Sequence, residues 1–186
     1  KNREMLALHG GFGYRLFGFF NWLCRVYLAI IRGTPVVVQL LIMYFVIFAW
    51  SRNAILVATL AFGINSGAYV AEIIRGGIMS VDNGQFEAGR SLGFNYVQTM
   101  LYIVIPQVFK SVLPALLNEF IALLKETSVA GYVGIMDLTK AGDLIRGRTF
   151  SAFMPLIAVA LVYLIIVMLL TSLVGQLERR LRKSER

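Results

Sequence analysis

Long apolar stretches separated by short polar punctuation dominate the chain. Val36 to Trp50 is apolar except at Gln39, and Ala54 to Ile74 holds Asn65, Ser66, Tyr69 and Glu72 within an otherwise apolar run. Val112 to Met136 is interrupted by Asn118, Glu119, Lys125, Glu126, Thr127 and Ser128, whereas Phe150 to Val174 carries no charge. A helix crossing the hydrocarbon core of a bilayer uses about 20 apolar residues. These stretches therefore predict four spans, near 34–51, 54–74, 111–136 and 150–174. In lipid each backbone polar group must be satisfied within its own segment, so the predicted fold class is all-α, a polytopic membrane protein with one transmembrane domain over residues 1–186.

The segments between and before these runs carry their own signals. Phe12 to Ile31 is rich in aromatic and aliphatic residues but contains Arg15, Asn21 and Arg25, a pattern that predicts a helix lying in the membrane interface, with a short span as the competing reading. Arg32-Gly33-Thr34-Pro35 then predicts a new helix, with Thr34 as N-cap and Pro35 at the first helical position. Gly63, Gly67 and Ala71 recur every four residues, which predicts a smooth stripe for close helix approach. Between 76 and 110, Asp82 with Gln85 and Asn95 with Gln98 have capping-box spacing. Gly93 between them suits a left-handed helix stop, so two short helices joined at Gly93 are expected, with Pro106 and Pro114 leading into the next apolar run. Gly131 and Gly134 favour a break beyond Lys125-Glu126-Thr127-Ser128. Asp137 to Thr149 reads as a polar loop, and Gln176 to Arg186 as a charged tail.

Composition narrows the function classes. With 58% hydrophobic and 15% charged residues and a mean hydropathy of +0.73, the chain is too apolar for an ordinary soluble domain. The net charge of +8 raises the question of nucleic acid, but the basic residues sit at the ends of apolar runs, where topology accounts for them. Lys1, Arg3, Arg15, Arg25 and Arg32, the central Arg75, Arg90 and Lys110, and the terminal Arg179, Arg180, Arg182, Lys183 and Arg186 fall on one side of a four-span layout. Only Arg52, Lys140, Arg146 and Arg148 fall on the other. The excess places both ends and the central loop in the cytoplasm. A single cysteine, Cys24, and a single histidine, His9, exclude a disulfide framework or a Cys/His metal site within one chain, and no cofactor is implied. A Gly-x-x-x-x-Gly-Lys-Ser/Thr stretch is absent, so the sequence holds no recognisable loop for ATP phosphates.

The central loop reads Glu87-Ala88-Gly89, three residues, Gly93, nine residues, then Ile103-Val104-Ile105-Pro106. It resembles the EAA loop of permease subunits of bacterial ABC importers, with Gly89 in place of the second Ala and Ile105 in place of a Leu. Arg32-Gly33-Thr34-Pro35, Asn65-Ser66-Gly67-Ala68-Tyr69, Gly84-Gln85-Phe86-Glu87-Ala88 and Leu113-Pro114-Ala115-Leu116-Leu117-Asn118-Glu119-Phe120 extend the resemblance to the polar amino acid branch, glutamine permeases in particular. The resemblance implies the type I permease fold, here lacking the usual first of five core spans, in the bacterial inner membrane. It also implies a second permease subunit, identical or not, a separate ATP-binding subunit and an extracytoplasmic binding protein. Glu87, Ala88, Gly89, Gly93 and Pro106 would then form the coupling element, with Glu87 anchoring the ATPase contact and Gly93 permitting a sharp turn.

Asn65, Tyr69 and Glu72 are spaced i, i+4, i+7 and share a helix face. With Ser66 and with Gln39, Asn118 and Glu119 on neighbouring spans, they are candidates for a polar pathway, since such groups rarely face lipid. Interhelical bonding without substrate contact is the alternative for the same residues. A channel or ion-coupled transporter would need only the polar stripe and would leave the EAA-like loop without a purpose. A membrane-embedded enzyme would need a catalytic cluster that the sequence does not contain.

Overall fold

A computed structural model describes residues 12–183, with side chains described from 15 to 180. Lys1, Arg3 and His9, and the side chains of Arg182, Lys183 and Arg186, lie outside that range. Every regular element among the described residues is helical. α1 is Phe12–Gly33, α2 is Val36–Ile42 continued by a π segment Met43–Ile47, α3 is Ala54–Met79 and α4 is Asn83–Ser91. Tyr96–Thr99, a π segment Met100–Val104 and Ile105–Glu126 follow without interruption and together form α5. A 3-10 stretch, Thr127–Val133, leads to α6 (Leu138–Thr149) and α7 (Phe153–Lys183).

Four of these are long and apolar enough to cross a membrane: Arg15–Gly33, Ala54–Met79, Tyr96–Val133 and Phe153–Arg180. The set differs from the expected one at its start. Within 34–51 only Val36–Ile47 is helical, about 18 Å at 1.5 Å per residue, while α1 meets the length and composition of a crossing helix. The local cause lies at Thr34-Pro35. Rather than capping α2, Thr34 closes α1 by donating from Oγ1 to the Ile30 carbonyl at 2.8 Å, and Pro35 takes the N-cap position with no side-chain cap. Proline has no N–H to continue a helix, and Gln39 covers the carbonyls left behind, donating from Nε2 to Ile31 O at 2.7 Å and Thr34 O at 3.0 Å.

Two apolar clusters hold the helices together. Leu40 of α2, Ala58, Ala61 and Phe62 of α3, and Ala130 and Val133 of the 3-10 stretch form one. Val104, Val108 and Val112 of α5 form the other, with Ile73 of α3 and Phe86 of α4 against them. The buried side of α3 is Val57, Ala58, Ala61, Phe62, Asn65 and Ala68. The stripe Gly63, Gly67, Ala71 is exposed instead; at Gly67 it meets Tyr27, whose hydroxyl donates to Ile64 O at 2.6 Å.

Other expected boundaries move for identifiable reasons. The helix capped by Asn95 is not short, because Pro106 does not end it. The π segment stands just before this proline and bonds Ile105 N–H to Met100 O, so the wider turn admits a ring that an ordinary α turn would push against a carbonyl. The expected break beyond Glu126 is present as the 3-10 stretch, ended by Gly134 in the left-handed region at φ 82°. The stretch read as a polar loop, 137–149, is mostly helix α6, capped by Asp137, which accepts from Lys140 N at 2.6 Å. α7 runs past Val174 into the charged tail.

Candidate functional site

The central loop folds into a knuckle built almost wholly from local hydrogen bonds. Asp82 caps α4 by accepting from Gly84 N at 2.8 Å. Gln85 does not reciprocate; it accepts from Gln107 Nε2 at 3.1 Å and so ties α4 to α5. At the other end Gly93 adopts φ 79°, Gly93 N donates to Arg90 O at 2.9 Å and Phe94 N to Gly89 O at 3.0 Å. This pair is the Schellman stop, which requires a residue at ease at positive φ. Asn95 then caps α5 in a complete capping box, Gln98 N to Asn95 Oδ1 and Asn95 N to Gln98 Oε1, both 2.9 Å.

Between its caps α4 has two faces. Phe86 stacks on Tyr96 with ring centroids 6.5 Å apart, and Gly89 is buried against Thr99. Glu87, Ala88, Arg90 and Ser91 point away and are exposed, and Leu92 and Val97 are 69% and 61% exposed beside them. The Glu87 carboxylate has no partner among the described residues. Pro106 is exposed on α5 beyond the π segment, beside Gln107 and Lys110. A nine-residue helix fixed at both ends moves as one piece, and its outer face offers a carboxylate unpaired among the described residues, with exposed Leu92 and Val97 on the same knuckle.

The polar residues of the apolar runs do not form a single lining. Gln39 and Asn65 pair with each other, Asn65 Nδ2 donating to Gln39 Oε1 at 2.9 Å. Gln39 Nε2 is already engaged with α1, so this residue is bonded throughout. Asn65 is 2% exposed and its Oδ1 lacks a partner among the described residues. Tyr69 lies under the Arg32 guanidinium, 5.8 Å from ring centre, and Glu72 pairs with Arg75 and with Arg32, the latter at 3.6 Å. Ser66 turns the other way and donates to Glu119 Oε1 at 3.3 Å, joining α3 to α5. Asn118 is exposed.

Four participants have no counterpart among the site residues expected from sequence. Arg32 and Arg75 answer Glu72; pairing across α1 and α3 cannot be read from spacing, although Arg75 at i+3 could. Thr99 carries no motif of its own, and its one signal is the Gly where the EAA pattern has Ala. Glu126, read as one of several interrupting charges, has a buried Oε2 without a hydrogen-bond partner among the described residues.

Comparison with known proteins adds to this geometry. Residues 6–183 match the family described as binding-protein-dependent transport system inner membrane component. The arginine transport system permease protein ArtQ of Bacillus subtilis strain 168 is 36% identical over 169 residues, 89% of this chain and 77% of ArtQ. The glutamine transport system permease protein GlnP of Escherichia coli strain K12 is 37% identical over 183 residues, 96% of this chain and 84% of GlnP. A chain in the crystal structure of an amino acid ABC transporter with histidines is 44% identical with a TM-score of 0.79, covering 84% of this chain and 74% of that one. A chain of the inward-facing MetNI methionine ABC transporter shares the fold, with a TM-score of 0.71 at 16% identity over 91% of this chain and 77% of that one.

Proposed function

The chain belongs to the family of binding-protein-dependent transport system inner membrane components, and on that premise we propose that it lines the translocation pathway of an ATP-driven importer of polar amino acids and couples to a separate ATPase through α4. It is an all-α, multi-pass membrane permease of the amino acid type. Glutamine is the first substrate to test, because glutamine and arginine permeases are among its relatives. The observation that carries the coupling role is the doubly capped α4, held on the start of α5 with Glu87 unpaired among the described residues on its outer face. An ion-coupled transporter or channel would give that face nothing to bind. The partners are an ATP-binding subunit, a second permease subunit and an extracytoplasmic binding protein. ATP-dependent uptake in proteoliposomes holding these partners, with a panel of competing amino acids, tests the function; uptake indifferent to ATP but driven by an ion gradient would overturn it.

The central loop and the end of α7 are assigned to the cytoplasmic side. The Lys and Arg excess supports this, as does the Arg32–Glu72 pair, which sets the end of α1 beside the part of α3 that leads into the central loop. With α1 as a crossing helix, the same pair puts its start on the opposite side, against the cytoplasmic amino end expected from the charge count. α2 then returns toward the start of α3. In a Cys24→Ser background, single cysteines at Asn83 and Thr149 are expected to react from opposite sides with an impermeant maleimide. Labelling of both from outside would overturn the layout.

Within the membrane, Glu119 and its Ser66 contact are the part of the proposed pathway that recognises substrate, and Gln39 with Asn65 serves to join α2 to α3.

A further inference from the structure

We propose that Gly89 and Thr99 form the joint through which movement of α4 is passed to α5, with Thr99 a positioning residue for coupling; the proposal rests on the reading of α4 as the ATPase-docking element. A Cβ built on Gly89 would lie 2.6 Å from Thr99 Oγ1, 2.7 Å from its Cγ2 and 3.2 Å from its Cβ. The α4 backbone therefore rests directly on a branched side chain. That side chain has little freedom: Thr99 is 2% exposed, its Oγ1 donates to Asn95 O at 3.0 Å, and a β-branched residue in a helix has few χ1 choices. Thr99 is also the last residue before the π segment, so a push on it enters α5 where the helix changes its winding.

The other links between α4 and α5 are compliant by comparison. Gln85 and Gln107 meet through two long side chains, and Phe86 and Tyr96 meet as stacked rings that can slide. Close-packed contacts without intervening flexible groups transmit displacement best. The EAA pattern has Ala where this chain has Gly89. Here the space that a methyl group would need is filled by Thr99, so the two positions form a size pair, and an alanine at 89 would require Thr99 to move.

The test uses the assembled transporter in proteoliposomes with permease, ATPase and binding protein, and reads substrate imported per ATP hydrolysed. A purely structural defect lowers both activities together and leaves that ratio unmoved. Gly89→Ala overpacks the joint and is expected to lower the ratio about tenfold, with the ATPase still co-purifying. Thr99→Ala, which cannot overpack, leaves slack and is expected to lower the ratio several-fold while the permease keeps its elution profile in detergent. In the double variant the new methyl faces only a Cβ, and the ratio is expected to recover most of the way. A wild-type ratio in Thr99→Ala, or a double variant no better than Gly89→Ala, would overturn the proposal. Glu87→Ala run alongside separates the two levels: if it leaves docking and uptake intact, α4 is not the docking element at all, whereas a failed size swap with Glu87→Ala defective leaves docking in place and removes only the joint.

Discussion

Replacing Glu87 with Ala, or Gly93 with Val, is expected to abolish ATP-driven uptake while the protein still accumulates in the membrane. The two changes act on different physical terms. Glu87 is exposed and unpaired among the described residues, so its loss removes nothing that holds this chain together. At a docked interface, truncating one member of a hydrogen-bonded charge pair costs about 2–5 kcal/mol, enough to release the ATPase at ordinary concentrations. Gly93 sits at φ 79°, where a β-branched residue costs about 1–3 kcal/mol of backbone strain. That cost falls on the Schellman stop and tilts α4 away from α5. Membrane-fraction immunoblots, co-purification of the ATPase and uptake measured together separate docking from insertion. Normal uptake by both variants would remove the basis of the coupling assignment.

Glu119→Gln is expected to reorder substrate preference, with losses of about ten- to a hundredfold for cationic amino acids, the range set by a charge-assisted hydrogen bond of about 1.5–3 kcal/mol. An ionised carboxylate near mid-membrane costs about 2.5–3.5 kcal/mol on insertion scales, and a single contact from Ser66 at 3.3 Å does not offset it. The remaining capacity of the carboxylate is what a substrate ammonium would use. Gln keeps the shape and can still accept from Ser66, so the fold is retained. Competition uptake with glutamine, glutamate, histidine and arginine decides the matter: an unchanged order together with reduced stability in detergent would make Glu119 a structural link between α3 and α5.

What could be read in advance was local. Capping by Asp82 and Asn95, the stop at Gly93 and the apolar stretch of α7 depend on residues within a few positions of one another, and the caps and the stop of the central knuckle are accordingly legible in the sequence. Pro106 misled, because the wider turn that accommodates it leaves no mark in the apolar pattern. Asp137 followed by Lys140 is a cap without an apolar stripe behind it, so the pattern over 137–149 reads as a loop where α6 forms. The polar face of α3 was recognised as a face, but its division required the neighbours: Arg32 turns Tyr69 and Glu72 toward α1, Gln39 takes Asn65, and Ser66 alone reaches Glu119. Thr99 was out of reach for the same reason, since its importance comes from a backbone ten residues earlier in sequence.

The wide turn at Met100–Val104 also sets which changes of length α5 can absorb. A turn closed from Ile105 N–H to Met100 O holds one residue more than an ordinary turn of the helix. Deleting a residue elsewhere in α5 rotates everything on one side of the cut by about 100° relative to the other, which would carry Thr99 off Gly89 or Glu119 off Ser66. Deleting exposed Leu101 or Tyr102 closes the wide turn into a normal one and leaves both flanks facing as before, at the cost of pressing the Pro106 ring on a carbonyl. The helix thus carries a spare residue at the end that meets α4, and that residue insulates the phase of the long apolar half from that of the half that supports α4.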